Sequence, residues 1–269
     1  MDVSGDFDGD VEASGYDQDQ KAFYAGIDYA VSDNLLIGFV AGYYDNRLRF
    51  DNGSRKDDDG VQLGLYAAYD TQQWYVRGIG GYADYNADSL RSISFGTTVG
   101  TNMGKYGSTV ISFMGEAGRR FEFSPDMYFT PYAGLSYARS KNDAFTETGL
   151  AASALTAFVN KAKSFMSDLG ARFTGAWDAG SNSKVIIELG GAWQHEFEND
   201  PVNFTTSFAS VSGSTFTVIG SAIDAETLVL NGGISLATDS GYEVKVCYWG
   251  RFNSNFTENS VGLKVIKRF

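Results

Sequence analysis

Apolar and polar side chains alternate every second residue in segment after segment of this chain, and that period of two constrains the fold more than any other property. In Val61-Gln62-Leu63-Gly64-Leu65-Tyr66-Ala67-Ala68-Tyr69 the odd positions are apolar and the even ones small or polar. From Ile111 to Phe123, Ile111, Phe113, Ala117, Phe121 and Phe123 share one face with Arg119, while Ser112, Glu116, Arg120 and Glu122 share the other. Val185, Ile187, Leu189, Trp193 and Phe197 oppose Glu188, Gln194 and Glu196; Tyr242, Val244, Val246, Tyr248 and Phe252 oppose Glu243, Lys245 and Arg251. Successive side chains of a strand point to opposite faces, whereas helical periodicity would scatter these charges all round. The longest apolar run, Leu35 to Tyr44, is about ten residues, too short for a transmembrane helix.

The connections alternate in length. Short turns are expected at Ser32-Asp33-Asn34, Asp70 to Gln73, Ser124-Pro125-Asp126, Asp178 to Ser183 and Thr238 to Gly241. Longer polar stretches separate them, at Asp51 to Gly60, Asn86 to Gly107, Lys141 to Lys163, Glu198 to Ala225 and Asn253 to Asn259. Long loops on one rim and tidy turns on the other suit a closed up-and-down antiparallel barrel. We count about twelve strands, with Asp2 to Asp8 as a short or truncated first one. An even count puts both termini on the tidy rim, which faces the periplasm in outer-membrane barrels.

The two faces differ in kind. One is Leu, Val, Ile, Phe, Ala and Gly, with Tyr69, Phe123, Phe129, Trp177, Trp193, Phe197, Tyr242, Phe252 and Phe269 near segment ends, like two aromatic girdles. The other carries Arg77, Glu116, Arg120, Glu122, Asp168, Arg172, Glu188, Glu243, Lys245, Arg251 and Lys264. About twelve strands enclose more space than side chains can fill, so hydrocarbon outside and a hydrated ionic lumen inside are expected. A slightly negative mean hydropathy does not oppose this, since one-faced strands average near zero. The runner-up on pattern alone is a soluble β-sandwich. A net charge of -12 disfavours nucleic acid as a partner. The single cysteine, Cys247, excludes an internal disulfide and a cysteine metal site; parity places it in the lumen beside Trp249 as a small filler. Met1 is followed at once by Asp2-Val3-Ser4-Gly5-Asp6, with no signal peptide, so for an exported protein a piece of a longer chain is expected.

Across Tyr16 to Phe269 the chain resembles the translocator β-domain of autotransporters, the type V secretion proteins of Gram-negative bacteria. The resemblance is carried by Gly26 to Gly38, Leu63 to Asp70, Trp74-Tyr75-Val76, Thr130-Pro131-Tyr132-Ala133-Gly134-Leu135, Phe145 to Gly149, Leu169 to Phe173, Trp193-Gln194-His195-Glu196-Phe197 and the closing strand. It implies one domain over residues 1–269: a twelve-stranded barrel, without its passenger, in the outer membrane with loops extracellular and both termini periplasmic. A segment before the first strand would thread the lumen and carry an N-terminal passenger to the cell surface. Implied partners are the lipid bilayer, lipopolysaccharide, the threaded segment, and the barrel-insertion machinery that reads the terminal aromatic; a monomer is expected. Lys267 departs from the family, standing third from the end where an aromatic is usual.

No catalytic, cofactor-binding or metal-binding residue is assigned, and no enzyme is expected. His195, the only histidine, adjoins Glu196 but has no Gly-x-Ser-x-Gly nucleophile motif to serve. Asp6-x-Asp8-x-Asp10 and Arg55-Lys56-Asp57-Asp58-Asp59-Gly60 resemble calcium loops only superficially and read as solvated rim charge, open at most to weak divalent bridging to lipopolysaccharide. Helix-friendly Leu150 to Lys161 allows a short helix within its loop. The alternatives to the translocator are a stand-alone porin-like or adhesive barrel without a passenger, and a surface hydrolase based on His195.

Overall fold

The computed structural model describes residues 2–7, 14–211, 213–220, 224–254 and 256–267. Arg268 and the terminal Phe269 lie outside the described residues, as do Asp8 and Asp10. The wall is built from β1 (Asp2–Phe7), β2 (Tyr16–Ser32), β3 (Leu35–Phe50), β4 (Arg55–Asp70), β5 (Trp74–Phe95) and β6 (Thr98–Arg119). It continues through β7 (Met127–Asn142), β8 (Asn160–Asp178), β9 (Ser183–Glu196), β10 (Glu226–Thr238), β11 (Tyr242–Phe252) and β12 (Phe256–Lys267). Each strand pairs antiparallel with the next, and the ring closes where β1 meets β12 in the register Asp2↔Val261 to Phe7↔Phe256. Following the pairings among the described residues thus passes through twelve strands, in keeping with the count expected from sequence. None of the described residues is helical.

The sorting of side chains is inside out. Leu65 is 69% exposed and Phe113 56%, both on the outer wall, while the side chains of Glu116 and Arg172, 14% and 25% exposed, sit inside. An apolar exterior this continuous belongs in hydrocarbon, where a closed barrel leaves no backbone group unpaired. Trp74, Trp177 and Tyr242 mark the lower edge of the band, and Tyr43, Trp193 and Phe197 its upper edge, all exposed on the outer face.

At one rim the connections are short. Two residues, Asp33 and Asn34, join β2 to β3, and residues 71–73, 179–182 and 239–241 make the other tight turns. The longer segment after β6 contains a short strand, Phe121–Ser124, which pairs with the start of β7.

The opposite rim corrects several sequence expectations. The stretch 86–107 is not a loop: β5 and β6 each run 22 residues and turn at Gly96-Thr97, with Gly96 at φ 58°. Likewise the connection between β3 and β4 is 51–54 rather than 51–60, and that between β11 and β12 is 253–255 rather than 253–259. About ten residues suffice to cross the membrane, and the ladder simply continues beyond it. There both faces of the sheet are wet, so the alternation of hydropathy fades while the pairing persists.

Two further connections of this rim, 143–159 and 197–225, fold together in their described parts. Phe145–Thr146, Leu155–Ala157, Asn203–Phe208 and Phe216–Ile219 form a second, four-stranded sheet, and Thr148–Gly149 pairs with Asn102 and Met103 of β6. The helix allowed at 150–161 is therefore absent: a turn at 151–153 leads into a strand whose partners are Thr206 to Phe208. Pairing with a distant segment overrides the local alanine-rich propensity.

Candidate functional site

The lumen is where this fold concentrates its polar chemistry. At the short-turn rim Arg120 makes a bidentate pair with Asp70, at 2.5 and 2.6 Å, and donates to the carbonyl of Thr71 at 2.9 Å. One layer further in, Glu116 collects three cationic or hydroxyl partners from two strands, β5 and β8. The Tyr75 hydroxyl donates to it at 2.6 Å, Arg172 grips both carboxylate oxygens at 2.7 and 2.6 Å, and Arg77 lies 2.9 Å away. To reach Glu116 from β8, Arg172 crosses β7, its guanidinium 3.9 Å from the centre of the Tyr132 ring. The tyrosines lie flat on glycines: a Cβ on Gly118 would fall 2.5 Å from the Tyr75 ring, and one on Gly170 would fall 2.4 Å from Tyr132. Glycine at those two positions lets the rings lie against the wall and hold the charges at its surface.

Above this layer Gln194 donates to Asp168 at 2.9 Å and accepts from Arg251 at 2.8 Å; nearer the short-turn rim Lys245 pairs with Glu188. Cys247 is the small filler that parity suggested, its Sγ 3.6 Å from the Gly262 carbonyl. Opposite signs are interleaved at every level, as sequence implied. Charge-assisted bonds of this kind are about twice as strong as neutral ones.

Higher still the lumen opens into a cavity of about 940 Å³, floored by Met166, Gln194 and Arg251 and walled by Tyr16, Phe50 and Tyr106. Lys56 lines it too, 2.9 Å from Asp58 and over the Tyr106 ring. Burial alone would lower the Lys56 pKa, but Tyr106 and Asp58 outweigh it and raise the ammonium above its ordinary value.

The roof of this cavity is the second sheet: Phe145, Leu155, Ala157 and Phe204 look into it. It is fastened to the barrel by Phe145, stacked on Tyr106 of β6 at 4.5 Å between ring centres, and by a cluster of polar groups. Arg91 of β5 grips Glu147 through Nε at 2.9 Å and Nη2 at 2.6 Å, and donates to the Ser153 carbonyl at 2.7 Å. Glu147 also accepts from the Leu155 amide at 2.9 Å and from Asn102, whose side chain is wholly buried. Thr206, equally buried, donates to the Thr156 carbonyl at 3.0 Å. The connections thus form a lid over the mouth, held by a latch of Arg91, Glu147 and Asn102.

The lumenal residues expected from parity are where sequence put them. Alternation did not single out the latch, nor the partners Gln62, Tyr85 and Asp28, in which Tyr24 donates to Gln62, Gln62 to Tyr85, and Tyr66 to Asp28. Parity alone could have placed Tyr24, Asp28, Gln62, Tyr66 and Tyr85 inside, but not the latch, since Glu147 lies outside the barrel strands. His195 is outside the lumen: its ring lies on the outer face between Trp193 and Phe197, with Nδ1 2.9 Å from Glu226. The run Arg55 to Gly60 is split by the strand, with Lys56 and Asp58 inward and Arg55, Asp57 and Asp59 outward.

The family model of the autotransporter beta-domain matches residues 3–248. Over 266 residues the chain is 26% identical to an extracellular serine protease of Serratia marcescens, a match covering 97% of this chain and 25% of that protein. Over 222 residues it is 26% identical to the esterase EstA of Pseudomonas aeruginosa, covering 80% and 33% respectively. The chain therefore spans about a quarter to a third of these relatives' length. Among solved structures, the translocator domain of the autotransporter NalP from Neisseria meningitidis aligns at a TM-score of 0.78 and 15% identity, over 100% of this chain and 86% of that one. The β domain of the Bordetella autotransporter BrkA aligns at 0.68 and 18%, over 97% and 95%. At these identities the structures speak to the fold.

Proposed function

This chain belongs to the autotransporter β-domain family, the outer-membrane barrels of passenger translocation, and on that premise we propose that its lumen passes a segment linked to an N-terminal passenger while its wall anchors that segment in the bilayer. The short-turn rim faces the periplasm and the lidded rim faces the cell exterior. The chain acts as a monomer, and its last strand carries the signal for insertion. The observation behind this reading is the lumen itself. Its charges are paired laterally along the wall, as at Arg172 and Glu116, so they hydrate a passing chain without presenting one dominant sign. The paired lumen and the latched lid speak against the stand-alone open porin.

The barrel is further proposed to catalyse nothing itself. His195 faces outward beside Glu226 and aromatic rings, away from the lumen. Esterase or protease turnover by the purified barrel that His195→Ala abolishes would overturn that part. The translocation reading is tested by joining a reporter to residue 2 through a linker long enough to span the lumen and asking whether protease added to intact cells removes it. A reporter that stays protected, although the barrel is folded in the outer membrane, refutes it.

A further inference from the structure

The lidded chamber has two features that the passage of a chain does not require. The first is its roof. The pairing of the second sheet puts Thr146, Thr156, Thr205 and Thr217 on one face, with the Thr146 and Thr156 hydroxyls 3.1 Å apart. Phe145, Leu155, Ala157 and Phe204 share the other face and look into the chamber. A sheet with one apolar face is stable when a second layer covers that face. Here the apolar face looks onto a cavity of about 940 Å³.

The second is the placement of charge. Below the chamber opposite signs alternate around the wall; within it they separate. Lys56 is matched by Asp58 at 2.9 Å, Arg91 by Glu147 at 2.6 Å, Arg251 by Glu258 at 3.5 Å and Arg55 by Asp57 at 3.9 Å. Where β9 ends and β10 begins, Glu196, Glu198, Asp200 and Asp224 line the wall, and none of the four forms an ion pair among the described residues. Lys163 borders the chamber too, but it stands on the opposite face of β8 from Ser164 and pairs with none of them. Glu196 is 7% exposed and is held by neutral donors alone: the Ser164 hydroxyl, the Phe165 amide at 2.8 Å and the Glu198 amide at 2.9 Å. A carboxylate has about four acceptor sites, so one on Oε2 is left over. A buried carboxylate without a counter-ion is costly.

We propose that the chamber is a binding site for a small organic cation, a primary ammonium group carried on an aryl or alkyl body. The ammonium donates to Glu196 and Glu198 in charge-assisted bonds, with Asp200 and Asp224 adding to the negative field. The body lies under Phe145, Leu155 and Phe204 and supplies the layer that the roof calls for. An anion would meet the carboxylates, and a neutral hydrocarbon would leave Glu196 uncompensated. The chamber is also of the right size, since small-molecule sites occupy about 300–1,000 Å³. This inference goes beyond the passage of a chain and needs no assumption about which rim faces outward.

The test is calorimetric titration of the full chain, folded in non-ionic detergent, against a detergent blank. The ligands are phenethylammonium, 2-phenylethanol (the body without the charge), ethylammonium (the charge without the body) and phenylacetate (the charge reversed). The expected result is saturable binding of one phenethylammonium ion, at least about tenfold tighter than any of the other three. The variant E198Q/D200N weakens it at least about tenfold. Neither of those side chains engages a partner among the described residues, so the variant keeps the wild-type heat-induced gel shift, which separates lost binding from misfolding. D33N/D239N makes the same change of charge at the short-turn rim and leaves the affinity unchanged. Equal affinity for 2-phenylethanol or ethylammonium, unchanged affinity in folded E198Q/D200N, or an equal loss in D33N/D239N overturns the site. Tighter binding of a pentalysine peptide does so as well, because the acidic wall would then serve a basic chain. None of these outcomes bears on reporter display at the cell surface, so the site and the translocation reading fail separately.

Discussion

Glu147→Ala tests whether the lid is a gate. Glu147 accepts two bonds from Arg91, one from the Leu155 amide and one from Asn102, in a pocket where its own side chain is 7% exposed. Truncation takes two bonds from the Arg91 guanidinium and one from the Asn102 amide, which keep only the Ser153 carbonyl and hydroxyl, and leaves the Leu155 N–H without its carboxylate acceptor. Breaking a fully buried ion pair from one side costs about 3–5 kcal/mol. Arg91 is 37% exposed, so water recovers part of that, and about 3 kcal/mol is a fair figure for the destabilised lid. At about 1.4 kcal/mol per factor of ten, the ratio of open to closed lid rises roughly a hundredfold. The second sheet lies outside the barrel ladder, so the wall itself should melt within a few degrees of the wild type. Single-channel recording in planar bilayers reads the change directly: long closed dwells in the wild type give way to a pore that is mostly open. If folded Glu147→Ala shows the wild-type closed fraction, the latch does not hold the mouth shut and the reasoning fails.

Three further perturbations probe other parts of the molecule. Leu65→Arg puts a charge near the middle of the apolar band and should cost about 2–4 kcal/mol in lipid-based urea unfolding, whereas Gln62→Arg, on the lumenal face, should cost far less. Gly118→Ala drives a methyl into the Tyr75 ring and should destabilise the barrel by about 1–3 kcal/mol, visible as a lower temperature for the heat-induced gel shift. Glu116→Gln leaves Arg172 and Arg77 facing the lumen without their carboxylate; an open-lid background should then show a reversal potential moved toward anions, and no shift would contradict the lumenal assignment.

Legibility from sequence followed the solvent on each side of the wall. Where one face meets lipid and the other water, as from Val61 to Tyr69, alternation named the strand and its orientation, and Glu116 and Arg172 fell inside as parity required. Where both faces meet water the signal disappeared, so the upper halves of β5 and β6 read as a loop although Asn86 to Phe95 are as well paired as any residues in the barrel. The lid was unreadable for a different reason. Arg91 and Glu147 are 56 residues apart, and Leu155 to Ala157 are extended because Thr206 to Phe208 lie beside them, whereas their own composition favours a helix. Local pattern carries no information about such partners.

The short first strand has a mechanical consequence. Asp2–Phe7 is held edgewise between β2 and β12, with six residue pairs on each side. A pull along its axis loads both ladders in shear, so their bonds must yield together instead of unzipping one by one. Tension from an object tethered at that end is thereby shared between two neighbouring staves of the cylinder, and the narrowest stave makes a firm mooring.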